Sequence, residues 1–380
     1  MLSSKQDSQP LLLSPGPTPV PEPVRDILAA PLIHHRTDEY RNIFRAVSEG
    51  LQNVFRTRNP VFTLASSGTG AMEASLVNFC SPGDRILVLA CGKFSERFAE
   101  IAKACGIECD CLRVPYGEAA DPDAVEKQLE GRSYRAVYSA LCETSTGVLN
   151  DIRAIGRLVA RTDAIFVVDA ISGLLADRLE TDDWNVDVAI GASQKALMLP
   201  PGAAFLAVSP KAWAAAEGGR LPRYYLDLRR YRKAFETFDT PFTPAISILR
   251  GLEKSLEMIS DEGIEAQWVR CAKLAGMIRP VLESWGLEMF PRNPSSALTA
   301  VRLPAGIDGT VLLKILRRDY GVFMAGGQGD ALKGRVLRIG HMGAVREQDL
   351  LRGLEALSGG LARLGHPVGE TVFDAPGRTR

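Results

Sequence analysis

The sequence predicts an α/β protein with a mostly parallel sheet covered by helices on both faces, followed by a smaller α+β unit. Three observations predict it. Apolar runs at 61–65, 85–90, 108–114, 136–141 and 164–168 alternate with segments of helical period, which requires crossover connections between parallel strands. Further runs at 186–190 and 205–208 extend the sheet, and their unbroken apolar character suits strands buried on both sides. The chain has 380 residues, beyond the size at which one core usually stops growing. Its later part changes order, to strand 298–303, helix 309–320, strand 336–339 and helix 347–362.

Composition excludes several classes of function. Lys+Arg 45 against Asp+Glu 45 gives zero formal charge and a pI near 6.9, which argues against nucleic acid or an anionic membrane as partner. No apolar stretch approaches the roughly 18 residues that cross a bilayer, and residues 1–10 lack a signal region. Seven cysteines cannot all pair, so free thiols in the cytoplasm are expected. Cys105, Cys109 and Cys111 are close in sequence but have no nearby His and no second cluster, so no metal is expected.

Along the chain, Leu11-Leu12-Leu13 anchors an extended arm in which prolines alternate with small residues, and Gly16 marks a turn. His34-His35 is a poor metal pair, because adjacent residues do not share a helix face. A hydrogen-bonded structural role suits it better. After the strand at 61–65, Ser66-Ser67-Gly68-Thr69-Gly70 opens a helix whose positive end suits a phosphate, or is simply capped by Ser or Thr. It is neither a Walker loop nor a dinucleotide fingerprint.

Polar groups then gather at the ends of strands, where open α/β sheets bind ligands. Gly92-Lys93-Phe94-Ser95 follows one run and Glu143-Thr144-Ser145-Thr146-Gly147 another. Asp169 closes Val167-Val168-Asp169, where an acid needs a cation, an N–H partner or a helix to cap. Lys195 follows Gly191-Ala192-Ser193-Gln194 among apolar neighbours. An exposed loop lysine is the ordinary reading, but a desolvated amine loses its charge and becomes a nucleophile for carbonyl carbon. The basic, aromatic segment 221–232 reads as a solvated or intersubunit surface. Residues 247–285 read as one helical region in which the domain changes, and Gly326-Gly327-Gln328-Gly329 as a loop. Arg338 interrupts an apolar strand with a donor fork that fits a carboxylate.

A phosphorylated pyridine aldehyde would use this whole inventory: lysine for the aldehyde, acid for the ring nitrogen, helix start for the phosphate, aromatic for the ring face. With these motifs the chain resembles the class V aminotransferases of PLP fold type I, in the branch of the alanine-glyoxylate and serine-glyoxylate aminotransferases and the soluble hydrogenase small subunits. The match runs from Ser14-Pro15-Gly16-Pro17-Thr18 to Leu337-Arg338-Ile339-Gly340-His341-Met342-Gly343. The resemblance implies a seven-stranded sheet and pyridoxal 5'-phosphate as cofactor. It implies that Lys195 forms the internal aldimine, Asp169 bonds the ring nitrogen, and Ser67, Gly68, Thr69 and Gln194 hold the phosphate. Phe94 and Thr144 would flank the ring, and Arg338 would bind the substrate carboxylate with Gly16 beside it. Thr243 would reach the phosphate of the other subunit in a homodimer, with the N-terminal arm crossing to the partner.

The chain departs from the family at Leu141, where a His is common, and at Thr240, where the glyoxylate enzymes often carry Tyr. The expected organisation is an arm at 1–22, a cofactor domain at 23–255, a small domain at 256–365 and a disordered tail at 366–380. The expected activity is transfer of an amino group from a small amino acid, of alanine or serine type, to a 2-oxo acid such as glyoxylate or pyruvate. A lyase, a cysteine desulfurase or a non-catalytic partner subunit on the same scaffold are the alternatives. A desulfurase needs a mobile cysteine, and the later half of the chain offers only Cys271, in a helical stretch.

Overall fold

The computed structural model describes residues 10–369, together with the backbone of 373–374 and 378–379. The elements run β1 (Leu11–Leu12), α1 (Glu22–Ala29), α2 (Asp38–Phe55), β2 (Val61–Leu64), α3 (Gly68–Phe79), β3 (Arg85–Ala90), α4 (Lys93–Ala104), β4 (Glu108–Arg113) and α5 (Pro122–Gly131). They continue β5 (Ala136–Ala140), β6 (Cys142–Glu143), β7 (Val148–Leu149), α6 (Ile152–Val159), β8 (Ile165–Asp169), β9 (Val188–Ala192), β10 (Ala204–Val208), α7 (Pro210–Glu217) and α8 (Leu228–Phe235). The last part is α9 (Ile246–Glu262), α10 (Ile264–Ser284), β11 (Glu288–Met289), β12 (Leu298–Arg302), α11 (Gly309–Tyr320), β13 (Val322–Phe323), β14 (Ala325–Gly326), β15 (Val336–Gly340), α12 (Glu347–Arg363) and a short hairpin, β16 (Phe373–Asp374) with β17 (Arg378–Thr379).

Seven strands form the main sheet in the order β2-β10-β9-β8-β5-β3-β4. Only β10 runs against its neighbours, pairing antiparallel with β2 and β9. The other pairings are parallel. Every residue of β5, β8, β9 and β10 is buried, because helices cover both faces. That explains their continuous apolar sequences. β4 ends the sheet, and on it Cys109 and Cys111 stand side by side, Sγ to Sγ 3.7 Å. The chain therefore leaves β2, β3, β5, β8 and β9 at one edge of the sheet, and every sheet-borne polar group predicted above lies just beyond that edge.

A second, antiparallel sheet of four strands, β11-β12-β15-β14, carries Arg338 in register with Ala300 and Ala325. Its core holds Leu274, Ile278, Leu312, Leu316, Leu337 and Ile339. No helix among the described residues is long and apolar enough to cross a membrane.

Several elements differ from expectation. The helical region 247–285 is two helices, because Gly263 takes φ 90° and ends α9 by donating to Ile259 O at 2.9 Å. The two cores meet along α10: Leu256, Ile259 and Cys271 pack in the large core, Leu274 and Ile278 in the small one. Gly326 is an edge strand rather than loop, paired with Leu337. Arg223 turns inward instead of lying on a surface, since carbonyls of Val77, Leu221 and Gly219 accept from it at 2.9–3.1 Å. The expected disordered tail begins with an ordered His366, whose ring bonds Trp285 O at 2.8 Å; residues 370–372, 375–377 and 380 lie outside the described residues.

The described part of the arm packs on its own chain. Leu11 and Leu12 pair in parallel with Val322 and Phe323, filling an open strand edge. Leu13 O accepts from Gly340 N at 2.7 Å, and Thr18 N donates to Gln194 O at 3.1 Å. Thr18 Oγ1 donates to Lys195 O at 2.8 Å.

Candidate active site

A cavity of about 280 Å³ opens beyond the strand ends. It brings together Ser67, Gly68 and Thr69 from the start of α3, Phe94 from the start of α4, and Thr144 from the β6–β7 turn. Asp169 from the end of β8, Gln194 and Lys195 from the turn after β9, and Gly16 from the arm complete the set.

Lys195 is enclosed, and its Nζ donates to Pro15 O. Burial lowers its pKa to about 8, against the pull of Cys142 and Asp169, while Arg338 assists the lowering. Near neutral pH the neutral, nucleophilic amine is therefore a minor form, but far more abundant than in an ordinary lysine. The arm must be glycine at Gly16: a Cβ there would sit 2.6 Å from Lys195 Nζ, at φ +120°.

Asp169 is 5% exposed. Burial pushes its pKa up to about 6; the bond from Ile171 N at 2.8 Å, Lys195 and Arg97 oppose the rise and Glu143 adds to it. One carboxylate oxygen takes that local bond, and the acid keeps capacity for a cationic partner in the cavity.

Ser67 precedes α3 but its side chain makes no capping bond; Gly70 N donates to Ser67 O at 2.9 Å, which leaves the N–H groups of Gly68 and Thr69 to attract an anion. Gln194 lines the same cavity with Oε1 buried and unpartnered. Thr144 Oγ1 shares a hydrogen bond of 2.6 Å with Ser172 Oγ.

Phe94 is fixed from below. Glu143, fully buried, accepts from Phe94 N at 3.2 Å, Ser95 N at 2.8 Å, Ser95 Oγ at 2.9 Å, Ser145 N at 3.0 Å and Ser145 Oγ at 2.6 Å. A carboxylate at the start of α4 also complements the helix dipole. Gly92 makes room for it, since a Cβ would lie 2.4 Å from Glu143 Cγ.

Arg338 stands one layer behind the cavity wall. Its Nη1 donates to Thr144 O at 2.8 Å, while Nε and Nη2 donate to Gly326 O at 2.9 and 2.7 Å. Burial lowers its pKa to about 10, and no carboxylate among the described residues pairs with it. Thr243 is not brought to the cavity; it is exposed, in a separate cleft with Tyr225 and Tyr231. Arg97, Ser172 and Ile171 line the cavity without having been predicted. The sequence signal for Arg97 was its spacing three residues beyond Phe94, which places both on one helix face.

The family model for aminotransferase class V matches residues 12–346. The chain belongs to the class V aminotransferases. It is 41% identical to the "Soluble hydrogenase, small subunit" of Synechococcus sp. (strain PCC 6716), over 94% of each chain. It is 34% identical to the L-aspartate–glyoxylate aminotransferase of Paracoccus denitrificans, over 95% of this chain and 93% of that one. The crystal structure of the subgroup IV aspartate aminotransferase of Thermus thermophilus superposes with a TM-score of 0.85 at 36% identity, covering 91% of this chain and 98% of that one.

The cofactor of this aminotransferase is pyridoxal 5'-phosphate. Its residues fit the group: a lysine with a lowered pKa, a buried acid with a spare oxygen, and an uncapped helix start.

Proposed function

We propose that this aminotransferase moves the amino group of a small amino acid, of alanine or serine type, to a 2-oxo acid such as glyoxylate or pyruvate. The observation that carries the reading is the convergence of a Lys195 with a lowered pKa and a buried Asp169 in one cavity. When bound, the cofactor supplies an electron sink for a substrate carbanion. Lys195 Nζ would hold the cofactor by its aldehyde carbon, and as a neutral amine it would take the proton from the substrate α-carbon as a general base. Asp169 keeps the ring nitrogen protonated, because a nearby negative charge favours the cation. Phe94 and Thr144 orient the ring, and Arg338 takes the substrate carboxylate that its buried charge lacks.

A cavity of about 280 Å³, shared by cofactor and substrate, supports a small donor. The exposed position of Thr243, away from its own cavity, supports a homodimer in which it serves the neighbouring site. Seven free thiols support a cytoplasmic location. The test is a panel of alanine, serine and aspartate with glyoxylate and pyruvate, run on the parent and on Lys195→Ala. Turnover with alanine or serine is expected, and the variant should lose both turnover and the visible absorbance of bound cofactor. Full activity in Lys195→Ala refutes the mechanism, and turnover with aspartate alone refutes the donor.

A further inference from the structure

Arg97 stands in the cavity without an acid. It rises from the same face of α4 as Phe94, and its guanidinium carbon lies 4.8 Å from the centre of the Phe94 ring. Nη1 donates to Thr69 Oγ1 at 3.2 Å. Glu96 holds Lys93 Nζ at 2.8 Å and Tyr116 OH at 2.6 Å, Glu143 binds the start of α4, and Asp169 feels Arg97 through space without forming an ion pair with it. Its guanidinium therefore brings a positive charge without an ion-pair partner to this end of the cavity.

We propose that Arg97 binds the phosphate of the cofactor, as the full positive charge in a cradle otherwise made of Ser67, Gly68, Thr69 and Gln194. The inference rests on the reading that the start of α3 holds that phosphate. A helix start offers only about half an elementary charge, against a phosphate ester near −2 at neutral pH. Lys195 is committed to the aldehyde of the cofactor, and Arg338, outside the cavity lining, is kept for the substrate carboxylate. Arg97 remains, already touching Thr69 and steadied on Phe94 by cation–π attraction. Its planar fork suits two phosphate oxygens.

The experiment compares apo-protein of the parent, Arg97→Gln and Arg97→Lys, titrated with pyridoxal 5'-phosphate and with pyridoxal and followed by absorbance. Arg97→Gln should weaken the phosphorylated ligand by about 10- to 100-fold and leave pyridoxal unchanged, with Arg97→Lys between. Inorganic phosphate should raise the Tm of the parent apo-protein more than that of Arg97→Gln, and matching circular dichroism verifies the fold. Equal affinity for pyridoxal 5'-phosphate in parent and variant overturns the proposal, as does an equal loss for both ligands. Unchanged cofactor affinity with a raised KM for aspartate but not for alanine assigns Arg97 to a second substrate carboxylate instead. A parent that takes up neither ligand overturns the underlying reading of the site, and is thereby distinguished from failure of Arg97 alone.

Discussion

Glu143 is the acid on which the aromatic wall of the site depends, and replacing it with Gln isolates its charge from its shape. In the parent, Oε1 accepts from Phe94 N, Ser145 N and Ser145 Oγ, and Oε2 from Ser95 N and Ser95 Oγ. The hydroxyls can turn and become acceptors, but the three backbone N–H groups cannot. Whichever oxygen becomes an amide NH2, at least one buried N–H then faces a donor. A buried donor left unsatisfied costs about 1–3 kcal/mol. With unfolding entropy near 2.1 cal/mol/K per residue and 380 residues, that cost lowers Tm by about 1–4 °C. The assay is paired thermal unfolding of the apo-proteins, with cofactor titration alongside, because Phe94 hangs from the same carboxylate. A variant that melts with the parent and binds cofactor equally well would show that Glu143 organises neither α4 nor Phe94.

Three further outcomes are expected. The rate at which apo-protein captures pyridoxal 5'-phosphate should rise with pH through about 8 and then level, because burial lowers the Lys195 pKa from 10.5 to about 8 and only the neutral amine attacks. A rate still climbing steeply at about pH 10, as for an ordinary lysine, rejects the burial argument. Arg338→Lys keeps the charge but loses the fork, so KM for amino acids should increase by about 10- to 100-fold with little change in cofactor absorbance; unchanged KM removes Arg338 from substrate binding. Gly16→Ala places a Cβ 2.6 Å from Lys195 Nζ and should slow cofactor capture and lower Tm. Capture at the parent rate would mean that Lys195 moves aside freely.

The sheet was legible because its central strands are buried on both faces, which leaves runs such as Ile165-Phe166-Val167-Val168 with no polar interruption. The acid and the lysine of the site were legible for the complementary reason, since Asp169 and Lys195 are charged where their neighbours are apolar. Arg97 was hidden, because one arginine on a polar helix face reads as solvated. Gly326 was hidden because its contribution is a carbonyl, which every residue carries. The course of the arm depends on backbone bonds to Gly321, Phe323 and Gln194, and backbone bonds leave no mark in side-chain pattern. The hairpin of β6 and β7 is too short, at two residues a strand, for any period to appear.

The arm has a mechanical consequence. Residues 11–13 are pinned to the small sheet and its neighbouring strand edge, and Thr18 is pinned on both sides of the peptide joining Gln194 to Lys195. Only Ser14, Pro15, Gly16 and Pro17 lie between the two anchorages, so few backbone torsions separate them. Two of the four are prolines, so the span behaves as a strut rather than a spring. A displacement of the small sheet would therefore reach the backbone of Lys195 through a single short length of chain, which ties the strand that carries Arg338 to the turn that carries Lys195.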